Sequence, residues 1–141
     1  MVTFDGTPLT IENIVAIALQ KQEGQLSQDV QFRRTINKGS EFLDRLLAED
    51  GAIYGVTTGY GDSCTVAIPT DLVDELPRHL YTFHGCGMGQ MLKPSMARAV
   101  LATRLASLCQ GYSGVSVELL EQLALLLQHD ILPLIPEEGS V

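Results

Sequence analysis

Two glycine-rich segments carry the residues whose types and spacing could do chemistry. The first runs Ile53-Tyr-Gly-Val-Thr-Thr-Gly-Tyr-Gly61 and the second runs His84-Gly-Cys-Gly-Met-Gly89. Glycine lets a backbone approach a ligand or another chain closely, and long loops without periodicity tend to be functional. Tyr54 heads the first segment, where its phenol is either a packing aromatic or a base. A phenol ordinarily loses its proton at about pH 10, so a base role requires neighbouring positive charge or hydrogen-bond donors.

Neither segment has the pattern of a phosphate-binding loop. Neither follows a convincing strand or contains the Walker lysine, and no acidic residue stands about twenty positions on in a βαβ context. The three histidines are too scattered along the chain for a ligand set, and the three cysteines are widely spaced without a CxxC pair. We therefore predict no nucleotide cofactor, no metal site and no disulfide framework, and a reducing cytoplasm as the compartment.

Composition narrows the class of protein. The chain has 141 residues, with 17 acidic and 9 basic side chains and a net charge of −8. This acidic balance argues against nucleic acid as a partner, and no apolar run has the ~20 clean residues of a membrane span. The apolar share of 45% is enough for a core, whereas the charged share of 18% is below the usual ~25%. We expect other protein to cover part of the surface.

The elements that position these segments are predicted to be helices. Apolar spacing and caps indicate a mainly α chain with two glycine-rich loops and little or no sheet. Thr10 is the predicted N-cap of the first helix. The predicted helices run from Ile11 to between Gln22 and Gly24, from Asp29 to Asp50, from Thr70 to Leu76, from Pro77 to Phe83, from Pro94 to about Gln110, and from Val117 to Asp130.

The helix that begins at Pro94 has a predicted buried side and predicted outer faces. Arg98 and Arg104 are assigned to the outer faces, and Cys109 is expected to be an inert buried thiol in the middle of the helix. The residues assigned to the buried side are Met96, Val100, Leu101, Leu105 and Leu108.

The string from Tyr54 to Gly61 closely resembles the inner-loop motif of the histidine/phenylalanine ammonia-lyase family. The resemblance covers essentially the whole chain, because other motifs follow in family order and at family spacing. These are Leu46-Leu47-Ala48 with Ile53, Phe83-His84 ahead of Gly87, Arg98 through Gln110-Gly-Tyr-Ser-Gly114, and the stretch from Ile131 to Val141.

The resemblance implies the helical N-terminal domain of an ammonia-lyase, with the fumarase/aspartase-like fold, over residues 1–141. In the family, an Ala-Ser-Gly sequence cyclises into the electrophilic methylidene-imidazolone group (MIO), and we expect it immediately downstream of Val141. The chain would then be the first part of a longer cytoplasmic enzyme, active only with the downstream segment. Relatives form homotetramers in which several subunits build each active site.

The resemblance also implies roles for the loop residues. Tyr54 matches the family's catalytic base, which removes a β-proton from an amino acid substrate. The surrounding glycines and threonines would let the loop close over the substrate and exclude water. Tyr60 stands where relatives commonly have Phe, and we interpret it as loop packing. The loop residues are Gly55, Thr57, Thr58, Gly59, Tyr60 and Gly61.

Phe83 and His84 match the pair with which relatives recognise the substrate side chain. An aromatic residue there favours a phenyl ring, whereas histidine offers a donor or acceptor to an imidazole or phenol. Because the pair is mixed, the substrate stays open between histidine, phenylalanine and tyrosine. A 2,3-aminomutase shares the first steps of the reaction. An alternative outside the enzymes is a non-catalytic helical assembly or binding protein derived from the lyase.

Overall fold

The computed structural model describes residues 1–49 and 51–139, and within them five α-helices and four short strands. The helices are α1 (Ile11–Ala18), α2 (Val30–Ala48), α3 (Leu76–Phe83), α4 (Pro94–Leu108) and α5 (Val117–Gln128). The strands are β1 (Val2–Phe4), β2 (Gly24–Leu26), β3 (Met88–Met91) and β4 (Pro136–Glu138). The mainly helical fold with little sheet is confirmed.

The first helices begin at side-chain caps. The Thr10 hydroxyl accepts the N–H of Asn13 at 3.2 Å, and the Asn13 side chain accepts the N–H of Thr10 at 3.1 Å. This reciprocal pair satisfies two N–H groups that the first turn of α1 leaves unpaired. Asp29 caps α2 by accepting the N–H of Phe32 at 2.9 Å. Both starts match the sequence prediction, and the predicted end at Asp50 lies outside the described residues.

The core lies in what we call the packed body, residues 1–36 and 94–130. Strands β1 and β2 pair in parallel, with Val2 opposite Gly24 and Phe4 opposite Leu26. Helix α4 packs against α1 on one side and α5 on the other, and α5 also packs against β2. The largest fully buried side chains are Phe4, Ile36, Leu105, Val117 and Leu120.

The prediction for the faces of α4 was partly wrong. Leu101, Leu105 and Leu108 are buried as expected, but Met96 and Val100 are about half exposed. Small residues, Ala97 and Ala102, occupy the buried side instead, where they allow close approach of neighbouring helices.

Arg98 was expected on an outer face of α4 and is only 6% exposed. Its Nε and Nη2 donate to Oδ1 of Asp130 at 3.0 and 2.6 Å, and its Nη1 donates to the carbonyl of Ala18 at the end of α1. A charge can be buried when it is paired and hydrogen-bonded in this way. Helical periodicity alone assigns an arginine to a polar face, because it contains no information about distant partners such as Asp130 and Ala18.

Cys109 is a buried thiol, as expected, although it caps the C-terminus of α4 and does not lie mid-helix. Burial raises the pKa of this thiol to about 12, and the nearby Asp5 carboxylate adds to the shift. Only the thiolate is nucleophilic, so the geometry supports an inert role.

The helix predicted from Thr70 to Leu76 is replaced by a shorter 3₁₀ turn. The turn covers Thr70–Leu72, and Pro69 precedes it without a side-chain cap. Helix α3 then starts at Leu76 with Pro77 in its first turn, close to the predicted start. No helix among the described residues is long and apolar enough to cross a membrane.

Candidate functional site

The loop that carries Tyr54 is folded back on itself by backbone hydrogen bonds. Thr58 and Ala67 form an isolated antiparallel bridge. The Gly59 N–H donates to the Val66 carbonyl at 3.1 Å, and the Ile68 N–H donates to the Thr57 carbonyl at 2.9 Å. The segment that lacked periodicity in the sequence therefore has an ordered structure, although it lies outside the α-helices and has a 3₁₀ turn over Gly61–Thr65.

Two threonine hydroxyls hold the tip of this loop. The Thr57 hydroxyl accepts the N–H of Ile53 and donates to the carbonyl of Gly51, each at 2.8 Å. The Thr58 hydroxyl accepts the N–H of Gly55 at 3.2 Å and donates to the carbonyl of Gly59 at 3.0 Å. Each hydroxyl uses one donor and one acceptor function, which explains why threonine suits both positions.

The hydroxyl of each tyrosine in the loop is hydrogen-bonded to a backbone group next to the other tyrosine. The Tyr54 hydroxyl oxygen accepts the N–H of Gly61 at 3.1 Å, and the Tyr60 hydroxyl donates to the carbonyl of Gly55 at 3.1 Å. Their rings meet edge to face, with centroids 6.1 Å apart and planes at 89°. This T-shaped arrangement is a favoured geometry for an aromatic pair.

Gly55 makes the contact with Tyr60 possible. Its φ of +71° lies in the left-handed region, and a Cβ at this position would lie 2.7 Å from Cε1 of Tyr60. Any other residue would clash with the ring and strain the backbone. The glycine next to Tyr54 is thus required by the loop structure.

The Tyr54 ring is accessible from outside the loop. It is 65% exposed, whereas Thr58 behind it is buried. A cavity of about 360 Å³ beside the loop is lined by residues that include Ala52, Thr57 and Ile68, and Tyr54 is not among them. The phenol therefore faces outward, where a substrate or another chain can reach it.

Phe83 and His84 lie at the C-terminal end of α3. Phe83 is the last helical residue and is 84% exposed. His84 is the C-cap, and its N–H donates to the Leu80 carbonyl at 3.0 Å while its own carbonyl accepts the N–H of Cys86 at 2.8 Å. The backbone of the pair is fixed by the helix end, and both side chains are exposed.

The second glycine cluster is the packing surface for β4. Strands β3 and β4 pair antiparallel, with Met88 opposite Glu138 and Met91 opposite Pro136. A Cβ on Gly87 would lie 2.5 Å from Pro136 Cγ, and a Cβ on Gly139 would lie 2.8 Å from the Cys86 carbonyl oxygen. The chain near residue 139 therefore runs directly beside the residues that follow His84.

Sequence reasoning missed this strand pairing. The glycines at 87 and 89 were a usable signal, because glycine in or beside a strand often marks a place where another backbone approaches closely. A Cβ on Gly87 would meet Pro136, and a Cβ on Gly89 would meet Glu138. Ser140 and Val141, the last residues of the stretch with family resemblance, lie outside the described residues.

The structure thus groups the predicted site residues into two sets. Tyr54 lies with the loop glycines and threonines, and Phe83 and His84 lie with the β3–β4 pairing. Among residues 1–49 and 51–139, no hydrogen bond or ring contact joins the loop to Phe83 or His84. No group of three metal-ligating side chains occurs in the same described ranges.

The sequence is similar to histidine ammonia-lyases from bacteria. It is 32% identical over 141 residues to a histidine ammonia-lyase of Streptococcus gordonii, covering 100% of this chain and 27% of the relative. It is 36% identical over 140 residues to a histidine ammonia-lyase of Caldanaerobacter subterraneus, covering 99% and 27%. The chain spans about a quarter of the length of these relatives.

The fold is similar to solved structures of larger enzymes. A tyrosine aminomutase from Streptomyces globisporus matches with a TM-score of 0.90 and 33% identity, over 99% of this chain and 26% of that protein. A histidine ammonia-lyase from Trypanosoma cruzi matches with a TM-score of 0.80 and 27% identity, over 99% and 26%. The family profile described as aromatic amino acid lyase matches residues 9–141, so this chain belongs to the aromatic amino acid lyase family.

Proposed function

We propose that the full-length protein is an aromatic amino acid ammonia-lyase and that residues 1–141 are its N-terminal domain. The reaction removes ammonia from an L-amino acid without oxidation and leaves a trans-α,β-unsaturated acid. The observation that carries the proposal is the self-bonded loop that presents the Tyr54 phenol at the surface. The family match and the histidine ammonia-lyase relatives support the reaction class.

Tyr54 is the proposed base. The β-hydrogen of an amino acid is barely acidic in water, so its removal requires a base held close to it and shielded from solvent. The Gly61 N–H bond uses a lone pair of the Tyr54 oxygen and leaves its O–H bond uninvolved. The ionised oxygen would take the β-proton, the C–H electron pair would form the double bond, and the C–N electron pair would leave with the nitrogen, which is released as ammonia.

MIO, formed from Ala-Ser-Gly expected immediately downstream of Val141, is the proposed prosthetic group. When present it supplies an electron sink that makes the substrate amine a better leaving group. The residues here fit such a neighbour, because Gly87 and Gly139 leave no room for a Cβ where β4 meets the turn after His84. Strand β3 would hold the chain that leads to MIO beside the proposed substrate-binding pair.

Phe83 and His84 are the proposed contacts for the substrate side chain. Both are exposed at a fixed helix end, so they are free to meet a ring presented by the rest of the enzyme. Phenylalanine offers an apolar edge and histidine offers hydrogen bonds, which suits histidine, phenylalanine or tyrosine as substrate. The relatives named above are histidine ammonia-lyases.

A cytoplasmic homotetramer with shared active sites is part of the same proposal. Tyr54, Phe83 and Tyr81 are all exposed in this chain, although the reaction needs a site that excludes water. The downstream chain and neighbouring subunits would cover these side chains and exclude water from the site.

The test is to incubate the full-length protein separately with L-histidine, L-phenylalanine and L-tyrosine. Ammonia release and a conjugated acid in equal amounts are expected with at least one of them. A β-amino acid as the main product would instead indicate a 2,3-aminomutase, which the likeness to a tyrosine aminomutase makes the second candidate. No turnover of any of the three would contradict the lyase and favour the non-catalytic binding role.

Substrate recognition is tested with His84→Leu in the same assay. Loss of the imidazole removes the hydrogen-bonding group, so the ratio of kcat/KM for phenylalanine to that for histidine should rise by about 10-fold or more. The control is His129→Leu, because His129 lies at the end of α5 away from this pair. An unchanged ratio in His84→Leu would contradict the recognition role.

A further inference from the structure

The Tyr60 hydroxyl has a hydrogen bond that loop packing alone does not require. Packing needs only the ring, which meets Tyr54 edge to face. The hydroxyl extends beyond that contact and donates to the Gly55 carbonyl at 3.1 Å. The carbonyl belongs to the residue directly after Tyr54, so the bond acts on the backbone that carries the proposed base.

The bonds of Tyr54 and Tyr60 join the same two short stretches of chain in opposite directions. Tyr54 reaches forward to the Gly61 N–H, and Tyr60 reaches back to the Gly55 carbonyl. Both bonds and the ring contact therefore tie residues 54–55 to residues 60–61. Because they join the same residues, loss of either hydrogen bond should weaken the other.

We propose that Tyr60 is a positioning residue that keeps the Tyr54 phenol in place through the Gly55 backbone. The inference rests on the proposed role of Tyr54 as the base. Phenylalanine at position 60 keeps the edge-to-face contact and removes only the hydrogen bond to Gly55. Because this is one neutral, partly buried hydrogen bond, its loss corresponds to an effect of roughly 2- to 10-fold.

The experiment compares the full-length protein with Tyr60→Phe, using hydrogen exchange and steady-state kinetics. In Tyr60→Phe, peptides that span residues 54–61 should exchange about 2- to 10-fold faster, while peptides from α4 exchange as in the wild type. The kcat should fall by about 2- to 10-fold with KM within 2-fold. The matched control is Tyr112→Phe, which removes the same hydroxyl from a tyrosine that is exposed in the turn after α4.

A double variant tests whether Tyr60 acts through Tyr54. If it does, adding Tyr60→Phe to Tyr54→Phe should leave the residual kcat unchanged, because the group being positioned is already gone. A further fall of the same size in the double variant would overturn the proposal. So would normal exchange of residues 54–61, or an unchanged kcat, in the single variant.

The Tyr54→Phe variant, measured in parallel, separates the two possible failures. Full turnover in Tyr54→Phe contradicts the base role itself. Full turnover in Tyr60→Phe beside a strongly impaired Tyr54→Phe contradicts only the positioning role.

Discussion

The packed body and the segment of residues 51–92, here called the site segment, are held together by different forces. Every buried apolar side chain among the described residues lies between Val2 and Ile36 or between Ala97 and Leu127. In the site segment the buried residues are Thr58 and Gly59, and the fold depends on hydroxyl and backbone hydrogen bonds. The body buries its own core, whereas the site segment leaves Tyr54, Tyr81 and Phe83 exposed.

Because of this difference, stability and the proposed function depend on different regions of the chain. Apolar burial is the dominant favourable contribution to folding, so the body should set the stability of the chain. The site segment contributes little of that burial and carries Tyr54, Phe83 and His84. In the proposed function, these exposed residues meet a substrate and other protein around them excludes water.

Cysteine reactivity gives the largest expected contrast between the two regions. Cys109 is buried in the body with a pKa of about 12, whereas Cys64 is exposed in the site segment. At pH 8 about one Cys109 thiol in ten thousand is ionised, even before its lack of access is considered. Iodoacetamide should modify Cys64 at least about 100-fold faster, as measured by mass spectrometry of peptides. Comparable rates would show that the body opens readily and would break the comparison.

Removing the phenolic oxygen of Tyr54 should affect turnover and not stability. In the full-length protein, Tyr54→Phe should lower kcat by about 100-fold or more, because general base catalysis contributes about 10²- to 10⁴-fold. The midpoint of thermal unfolding should change little, because the ring is exposed and outside the core. Tyr112→Phe serves as the control. Activity of Tyr54→Phe within 2-fold of the wild type would refute the assignment.

A core substitution should have the opposite profile. Leu120 is 0% exposed on α5, and Leu120→Ala should lower the free energy of unfolding of the 141-residue chain by about 2–5 kcal/mol. Urea denaturation followed by circular dichroism measures this change. Leu134 is 82% exposed after α5, and Leu134→Ala should cost less than about 0.5 kcal/mol. Equal losses from the two variants would mean that the core has been placed wrongly.

The cap of α1 provides the smallest expected effect. Thr10→Ala removes the hydroxyl that accepts the Asn13 N–H and should destabilise the chain by about 1 kcal/mol. The same urea titration detects it. Thr103→Ala is the control, because Thr103 lies inside α4 and is exposed, where alanine is at least as good a helix former. A cap variant as stable as this control would argue against the reciprocal cap.

Sequence analysis predicted three helix starts well because caps and apolar spacing are local signals, whereas α1 ends at Ala18, earlier than predicted. The starts at Thr10, Asp29 and Pro94 agree with the structure. The burial of Arg98 could not be predicted, because it depends on Ala18 and Asp130, which are distant in sequence. The parallel pairing of β1 with β2 was missed for the same reason.

The loop around Tyr54 was predictable as a loop, whereas its hydrogen-bond geometry was not. The glycine and threonine pattern marked the loop, but periodicity carries no information on which hydroxyl bonds to which carbonyl. The reciprocal bonds of Tyr54 and Tyr60 emerge only when residues 55 and 61 take positive φ values. The roles of Tyr54, Phe83 and His84 in catalysis and recognition stay predictions.

The Arg98 guanidinium also has a consequence for the path of the chain after α5. This planar group donates both to the carbonyl of Ala18 at the end of α1 and to Asp130, which lies two residues after α5 and has a φ of +56°. Lysine, with a single ammonium group, cannot reproduce that geometry. The direction in which the chain leaves the helices toward β4 is therefore set by a residue outside the site segment, so a substitution of Arg98 should redirect the chain that follows α5 without changing Tyr54, Phe83 or His84.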